Sequence, residues 1–169
     1  MTTASKLRTS APTIDIRIDS ALWEDQPLAE PAVRAAIAAA ATALATADSE
    51  VSVVLTNDAG IKALNLEWRG IDKPTNVLSF PAAKIKSTGG AKLLGDIVVA
   101  YESLARECDA EGKDFLHHLS HLTVHGFLHL IGYDHQNDSN ADEMEALESK
   151  IMSIRNRAQD RDRAFSGCS

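Results

Sequence analysis

HGFLHLIGYDH, residues 125–135, decides how the rest of the chain is read. It sets three histidines at the spacing H-x3-H-x5-H, with Gly132 three residues after the second. Residues four apart on a helix share a face, so His125 and His129 can aim two imidazoles at one point. Gly132 can take the left-handed conformation that ends a helix, and the chain can then fold back to bring His135 to the same point. Three imidazoles with an open fourth position describe a catalytic zinc site better than a structural one, which usually closes with four protein ligands. All-nitrogen ligation suits Zn2+ first, with Ni2+ or Cu2+ as substitutes in vitro. Such a site implies hydrolysis.

Working outward, the helix that carries the first two histidines begins at Asp114, a capping residue, and runs to Ile131. Ser139 and Asp142 resemble a capping box, and Met144, Leu147, Ile151 and Ile154 give the helix after it an apolar stripe. Upstream, TIDIRID (13–19) alternates as a half-buried strand, with Ile14, Ile16 and Ile18 on one face. Pro31 opens an alanine-rich helix to about Ala47, and EVSVVLT (50–56) is a second strand. Asn57 or Asp58 caps a short helix that turns Ile61, Leu64 and Trp68 inward and stops at Gly70. Asn76–Phe80 reads as a short strand closed by Pro81. LLGDIVVA (93–100) is a strand whose internal glycine marks a bulge or a close backbone approach. Tyr101–Glu111 is helical and ends at Gly112. Four strands and about five helices predict an α+β single domain over 13–156 with a mixed, partly parallel sheet of unreadable order, and flexible tails at 1–12 and 157–169.

The composition is that of a globular domain: 169 residues, 44% hydrophobic and 24% charged. The apolar runs are too short to span a bilayer, and the N-terminus lacks a signal-peptide core. Cys108 and Cys168 are isolated, so both read as free thiols of a reducing cytoplasm. The net charge of -7 counts against nucleic acid as partner, but the charges are segregated. Arg69, Lys73, Lys84, Lys86 and Lys92 stand against Asp72 alone in the middle of the chain, whereas Asp134 to Glu148 carries only acidic charges. The acidic run reads as a solvated helix face.

His117, His121, His125 and His129 form an i,i+4 ladder. Each rung back moves an imidazole about 6 Å along the axis, so only the 125/129 pair adjoins the bend that returns His135. His117, His118 and His121 then read as packing residues, with a hydrogen bond behind a ligand as the sharper role for His121. Gly126 is anomalous, because a mid-helix glycine costs about 1 kcal/mol relative to alanine. It requires tight packing or close approach of a substrate. It also stands where H-E-x-x-H proteases carry their glutamate base, in a sequence that otherwise matches the longer H-E-x-x-H-x-x-G-x-x-H spacing. Losing that base hurts peptide hydrolysis more than phosphodiester hydrolysis, which above all needs positive charge on the phosphoryl oxygens.

HGFLHLIGYDH with the preceding HLTV, WRGIDKPTNVLSFP (68–81) and LLGDIVVA resemble, in order, the motifs of the YbeY family of bacterial metal-dependent endoribonucleases. The resemblance implies a zincin-like fold, zinc on His125, His129 and His135, and cleavage of single-stranded RNA. It also implies roles in 16S rRNA 3′-end maturation and ribosome quality control, with the small subunit, a ribosomal protein or an assembly GTPase as partners. The family's functional arginine falls on Arg69. Lys73, Lys84 and Lys86 would add phosphate charge, and Asp134 could orient an imidazole or relay a proton. A zinc metalloprotease and an assembly factor with a structural metal are the competing readings.

Overall fold

The computed structural model describes residues 11–46, 48–82, 92–134 and 136–166, with side chains described to residue 158. The elements are β1 (Thr13–Ile18), a 3-10 turn (Ala21–Asp25), α1 (Ala29–Ala43), β2 (Ser49–Thr56), α2 (Asp58–Arg69), β3 (Val77–Pro81), β4 (Lys92–Ala100), α3 (Tyr101–Glu111), α4 (Phe115–Leu130) and α5 (Asp138–Ser166). They form the expected α+β arrangement. The sheet order is β1-β2-β4-β3, with β1, β2 and β4 mutually parallel and β3 antiparallel to β4 on one edge.

Alternation on the central strands sorts the side chains onto two faces. Val51, Val53, Leu55, Ile97 and Val99 meet Ile37 of α1, Phe127 and Leu128 of α4 and Ile151 of α5 in the main core. On the opposite face Val98, Ala100 and Leu78 meet Ile61 of α2 in a smaller cluster. The glycine inside β4 is both a bulge and a close approach. The β2–β4 register slips between Glu50 and Val51, at Gly95. That slip lets Leu94 share the main core with Ile97 and Val99 although they are an odd number of residues apart.

Four local expectations change. α1 begins at Ala29, ahead of Pro31, and ends at Ala43 instead of Ala47. Ala45 turns the chain there with φ 53°, and Thr46 N–H returns to Ala41 O at 2.9 Å. α5 is capped by Asn137, whose side chain accepts from Asn140 N–H at 2.8 Å, and not by Ser139. α5 also runs past Arg157 to Ser166. Trp68 does not point inward: it is 67% exposed. Ile61 and Asn65 are the buried positions of α2, with Leu64 packed on the smaller cluster beside Ile61; the Asn65 amide donates to Lys73 O at 2.9 Å and secures the loop into β3. Ile14 and Ile16 pack on the core from β1, while Ile18 is 49% exposed at the strand's end.

Among the described residues no helix is long and apolar enough to cross a membrane. Cys108 is a buried free thiol, and Cys168 lies outside the described residues.

Candidate metal centre

α4 is the helix that carries the site. Asp114 caps it by accepting from His117 N–H at 3.0 Å. Leu119, Val124, Phe127 and Leu128 bury one side of it, leaving His121, His125 and His129 as a half-buried row on another. Gly132 takes φ 103° just beyond its end, as the turn requires, and Tyr133 N–H closes on Leu128 O at 3.0 Å. His135 itself lies outside the described residues.

His125 Nε2 and His129 Nε2 are 3.0 Å apart. Two imidazole nitrogens sharing a zinc ion at tetrahedral angles would stand about 3.3 Å apart, so the pair fits a shared metal. The other face of His125 is held as well. Its Nδ1 lies 2.5 Å from Glu148 Oε1, which fixes the tautomer that presents Nε2. Glu148 Oε2 meets His121 Nε2 at 2.9 Å. One carboxylate on α5 thus orients one imidazole of the pair and anchors the rung behind it. Among the described residues, no group of three histidine, cysteine or acidic side chains is placed to hold a metal.

Glu148 corrects the view of the acidic run as solvated surface: it is 8% exposed. The signal was present in the sequence. Glu148 sits at i+4 from Met144 and i−3 from Ile151, inside the apolar stripe of α5, where a carboxylate needs a partner. Burial alone would raise its pKa, but hydrogen bonds from His121 and His125, with their charge, outweigh burial and lower it from 4.5 to about 2. The stability it contributes is therefore full above pH about 4.5 and is lost as the pH falls toward about 2. Glu148→Gln keeps the shape and removes the charge. Zinc affinity, measured by competition with a chromophoric chelator, should fall by about 10–100-fold; unchanged affinity would remove Glu148 from the site.

Around this row a cleft of about 520 Å³ opens between α4, α5 and the start of β3, with Asn76, His118, His121, His125, Glu145 and Glu148 as polar lining. His118 is buried, and its Nε2 meets Glu107 Oε2 at 2.7 Å. His117 is exposed at the first turn of α4.

Gly126 is explained by packing. A Cβ there would lie 3.0 Å from Ile97 Cγ2 and 3.1 Å from Ser79 Oγ. The Ser79 hydroxyl donates to Gly126 O at 2.9 Å, pinning β3 onto α4 directly beside His125. A side chain at position 126 would press on the Ile97 and Ser79 side chains of β4 and β3.

The profile of the endoribonuclease YbeY family matches residues 17–156. The chain belongs to the YbeY endoribonuclease family. A YbeY endoribonuclease of Bradyrhizobium sp. (strain BTAi1) is 56% identical over 147 residues, covering 83% of this chain and 87% of the relative. That of Bradyrhizobium diazoefficiens is 53% identical over 147 residues, covering 83% and 80%. Among solved structures, TM1509 from Thermotoga maritima, determined in solution, superposes with a TM-score of 0.62 at 26% identity, covering 89% of this chain and 93% of that one. Family membership supports a hydrolase role on RNA.

Arg69, expected to engage phosphate, stands exposed at the last turn of α2, and its Nη2 donates to Ser79 O at 3.1 Å. Hydrogen-bonded pairs alternate along an antiparallel ladder. Ala100 N–H bonds Asn76 O and Ala82 N–H bonds Leu94 O, so Ser79 turns its backbone groups to the free edge of β3. Arg69 therefore reaches that edge from the α2 side, while the Ser79 hydroxyl points to α4. Lys73 is exposed on the loop before β3, and Lys84 and Lys86 lie outside the described residues. Asp134 Oδ1 accepts from Gln136 N–H and from the Asn140 amide, each at 3.3 Å, tying the end of the α4 segment to the start of α5. The carboxylate on His125 is that of Glu148, a residue the motifs do not mark.

Proposed function

We propose that this chain is a zinc-dependent endoribonuclease of the cytoplasm that cleaves single-stranded RNA in 16S rRNA 3′-end maturation and ribosome quality control. The observation that carries the metal centre is the convergence of His125 and His129 Nε2 at 3.0 Å, with Glu148 holding the far nitrogen of His125. His135 is the third ligand in this reading. The donor set is all imidazole, which suits Zn2+, with Ni2+ or Cu2+ able to replace it in vitro. When bound, the metal supplies Lewis acidity, making water a better nucleophile at neutral pH and offsetting phosphoryl charge.

The chain's own residues do the rest. Arg69 spends one donor on Ser79 O, and its planar guanidinium has others to offer a phosphate bidentately. Lys73, Lys84 and Lys86 add less specific charge along the RNA backbone. Asp134, next to His135 in the sequence, orients that imidazole or relays a proton. The small ribosomal subunit, a ribosomal protein or an assembly GTPase are the partners in this reading. The peptidase alternative needs a base at position 126, where this chain carries a glycine that lies tight against Ile97 and Ser79.

The test is cleavage of single-stranded and duplex RNA by metal-analysed protein, with products end-mapped. Arg69→Ala should lower single-strand cleavage by about 10²-fold without metal loss, the usual effect of removing one transition-state charge partner. A 2′,3′-cyclic phosphate end would assign the attack to the RNA's own 2′-hydroxyl, and a 3′-hydroxyl paired with a 5′-phosphate to water. Cleavage unchanged in both Arg69→Ala and His125→Ala would trace the activity to a contaminating nuclease and sink the reading.

A further inference from the structure

Trp68 is the most exposed of the large hydrophobic residues in the described structure, at 67%. Its neighbours Leu66 and Ile71 are 49% and 48% exposed. Phe80 braces the indole with ring centroids 6.2 Å apart and planes inclined by 58°. Phe80 also lies beneath the Arg69 guanidinium, whose carbon is 6.0 Å from the ring centroid. Among the described residues, the indole is held by an aromatic neighbour and otherwise given to solvent, a flat and rigid surface. The residue after it is the arginine that reaches the free edge of β3, and Ser79 on that edge is bonded to the helix turn of His125. The basic stretch of the sequence, Arg69 to Lys92 with Asp72 as its sole acid, follows at once.

We propose that Trp68 is a base-stacking platform that seats an unpaired nucleobase of the RNA strand whose phosphate Arg69 engages. The proposal rests on the endoribonuclease reading and deepens it, because it gives single-strand preference a residue. Every base has a π-face, so an exposed indole accepts any unpaired base without reading its identity. Bases inside a duplex are stacked on each other and cannot offer that face. A charge clamp at Arg69 alone would hold the backbone of either form. The pairing of an open ring with an adjacent guanidinium selects a strand that can splay a base out.

The chain has a built-in reporter. Of its two tryptophans, Trp23 is 2% exposed and its indole N–H is committed to Thr56 O at 2.8 Å, so a ligand that stacks on Trp68 quenches that residue's share of the fluorescence. Metal-loaded full-length protein is titrated with a non-cleavable 2′-O-methyl oligonucleotide, and with the same backbone carrying abasic positions. The base-bearing strand should quench saturably and the abasic strand should not. Trp68→Ala should weaken binding of the base-bearing strand about tenfold and raise the KM for single-strand cleavage by a similar factor, with most of the loss in KM and not kcat. Trp68→Phe, which keeps an aromatic face, should recover much of it. Wild-type cleavage that Trp68→Ala leaves unchanged, or equal quenching by the abasic strand, would overturn the platform alone and assign the Leu66–Trp68–Ile71 surface to a protein contact. Wild-type protein that neither binds nor cleaves RNA would overturn the endoribonuclease reading and the platform together.

Discussion

His129→Ala should reduce RNA cleavage by on the order of 10³-fold or more and abolish tight zinc binding, with helix content unchanged. The reasoning is geometric. His125 and His129 are the pair whose Nε2 atoms meet at 3.0 Å, and removing one leaves a metal with too few fixed ligands to hold. His129 is half-buried on α4, so truncating it does not empty the core made by Phe127 and Leu128. His121→Ala is the contrast. It removes a support of Glu148 and not a member of the converging pair, so its effect should stay within the roughly 10–100-fold range of residues behind a metal ligand. Metal analysis and single-turnover cleavage of both variants decide this. Equal, small losses in the two would mean that the pair is not the metal site.

The second large effect is on stability. Gly95→Ala should destabilise the fold by about 4 kcal/mol or more, a large share of the roughly 5–15 kcal/mol that domains possess. Gly95 has φ 136°, and a Cβ there would lie within 2.2 Å of Phe80 O and 2.9 Å of Ala82 N, both backbone atoms that cannot swing aside. Avoiding the clash means parting β3 from β4 at the bulge. That would also shift Ser79, which ties β3 to α4 and to Arg69. Urea or thermal unfolding measures the loss, and a change below about 1 kcal/mol would show that the bulge relaxes freely.

These two positions also mark how far the sequence could be read. Signals carried by local backbone rules came through: the end of α4 at Gly132, the glycine interrupting β4, the caps at Asn57 and Asp114, and the alternation that turns Ile14 and Ile16 of β1 to the core. They survive because their causes act within a few residues. The α1 boundary did not come through, because an alanine-rich helix can stop at any turn that closes well, and here Ala45 supplies one without glycine. Trp68 shows that periodicity alone does not bury a side chain. Helical spacing puts it in line with Ile61, but only a partner in space makes a position inward, and α2 commits Asn65 to the β3 loop instead. Glu148 was masked by its neighbours. Its acidic company reads as surface, and the histidines that stabilise it lie 23 and 27 residues earlier in the chain. Strand order likewise depends on contacts that no local pattern encodes.

Glu148 has one further consequence, for the life of the protein before it is finished. The histidine pair is encoded on α4, but the carboxylate that orients it belongs to α5, the last element of the described fold. A growing chain that has emerged only as far as α4 carries both imidazoles without their brace, and one wall of the cleft is missing. The brace on His125 is therefore in place only once α5 has followed α4, and a copy that stops between the two helices lacks it.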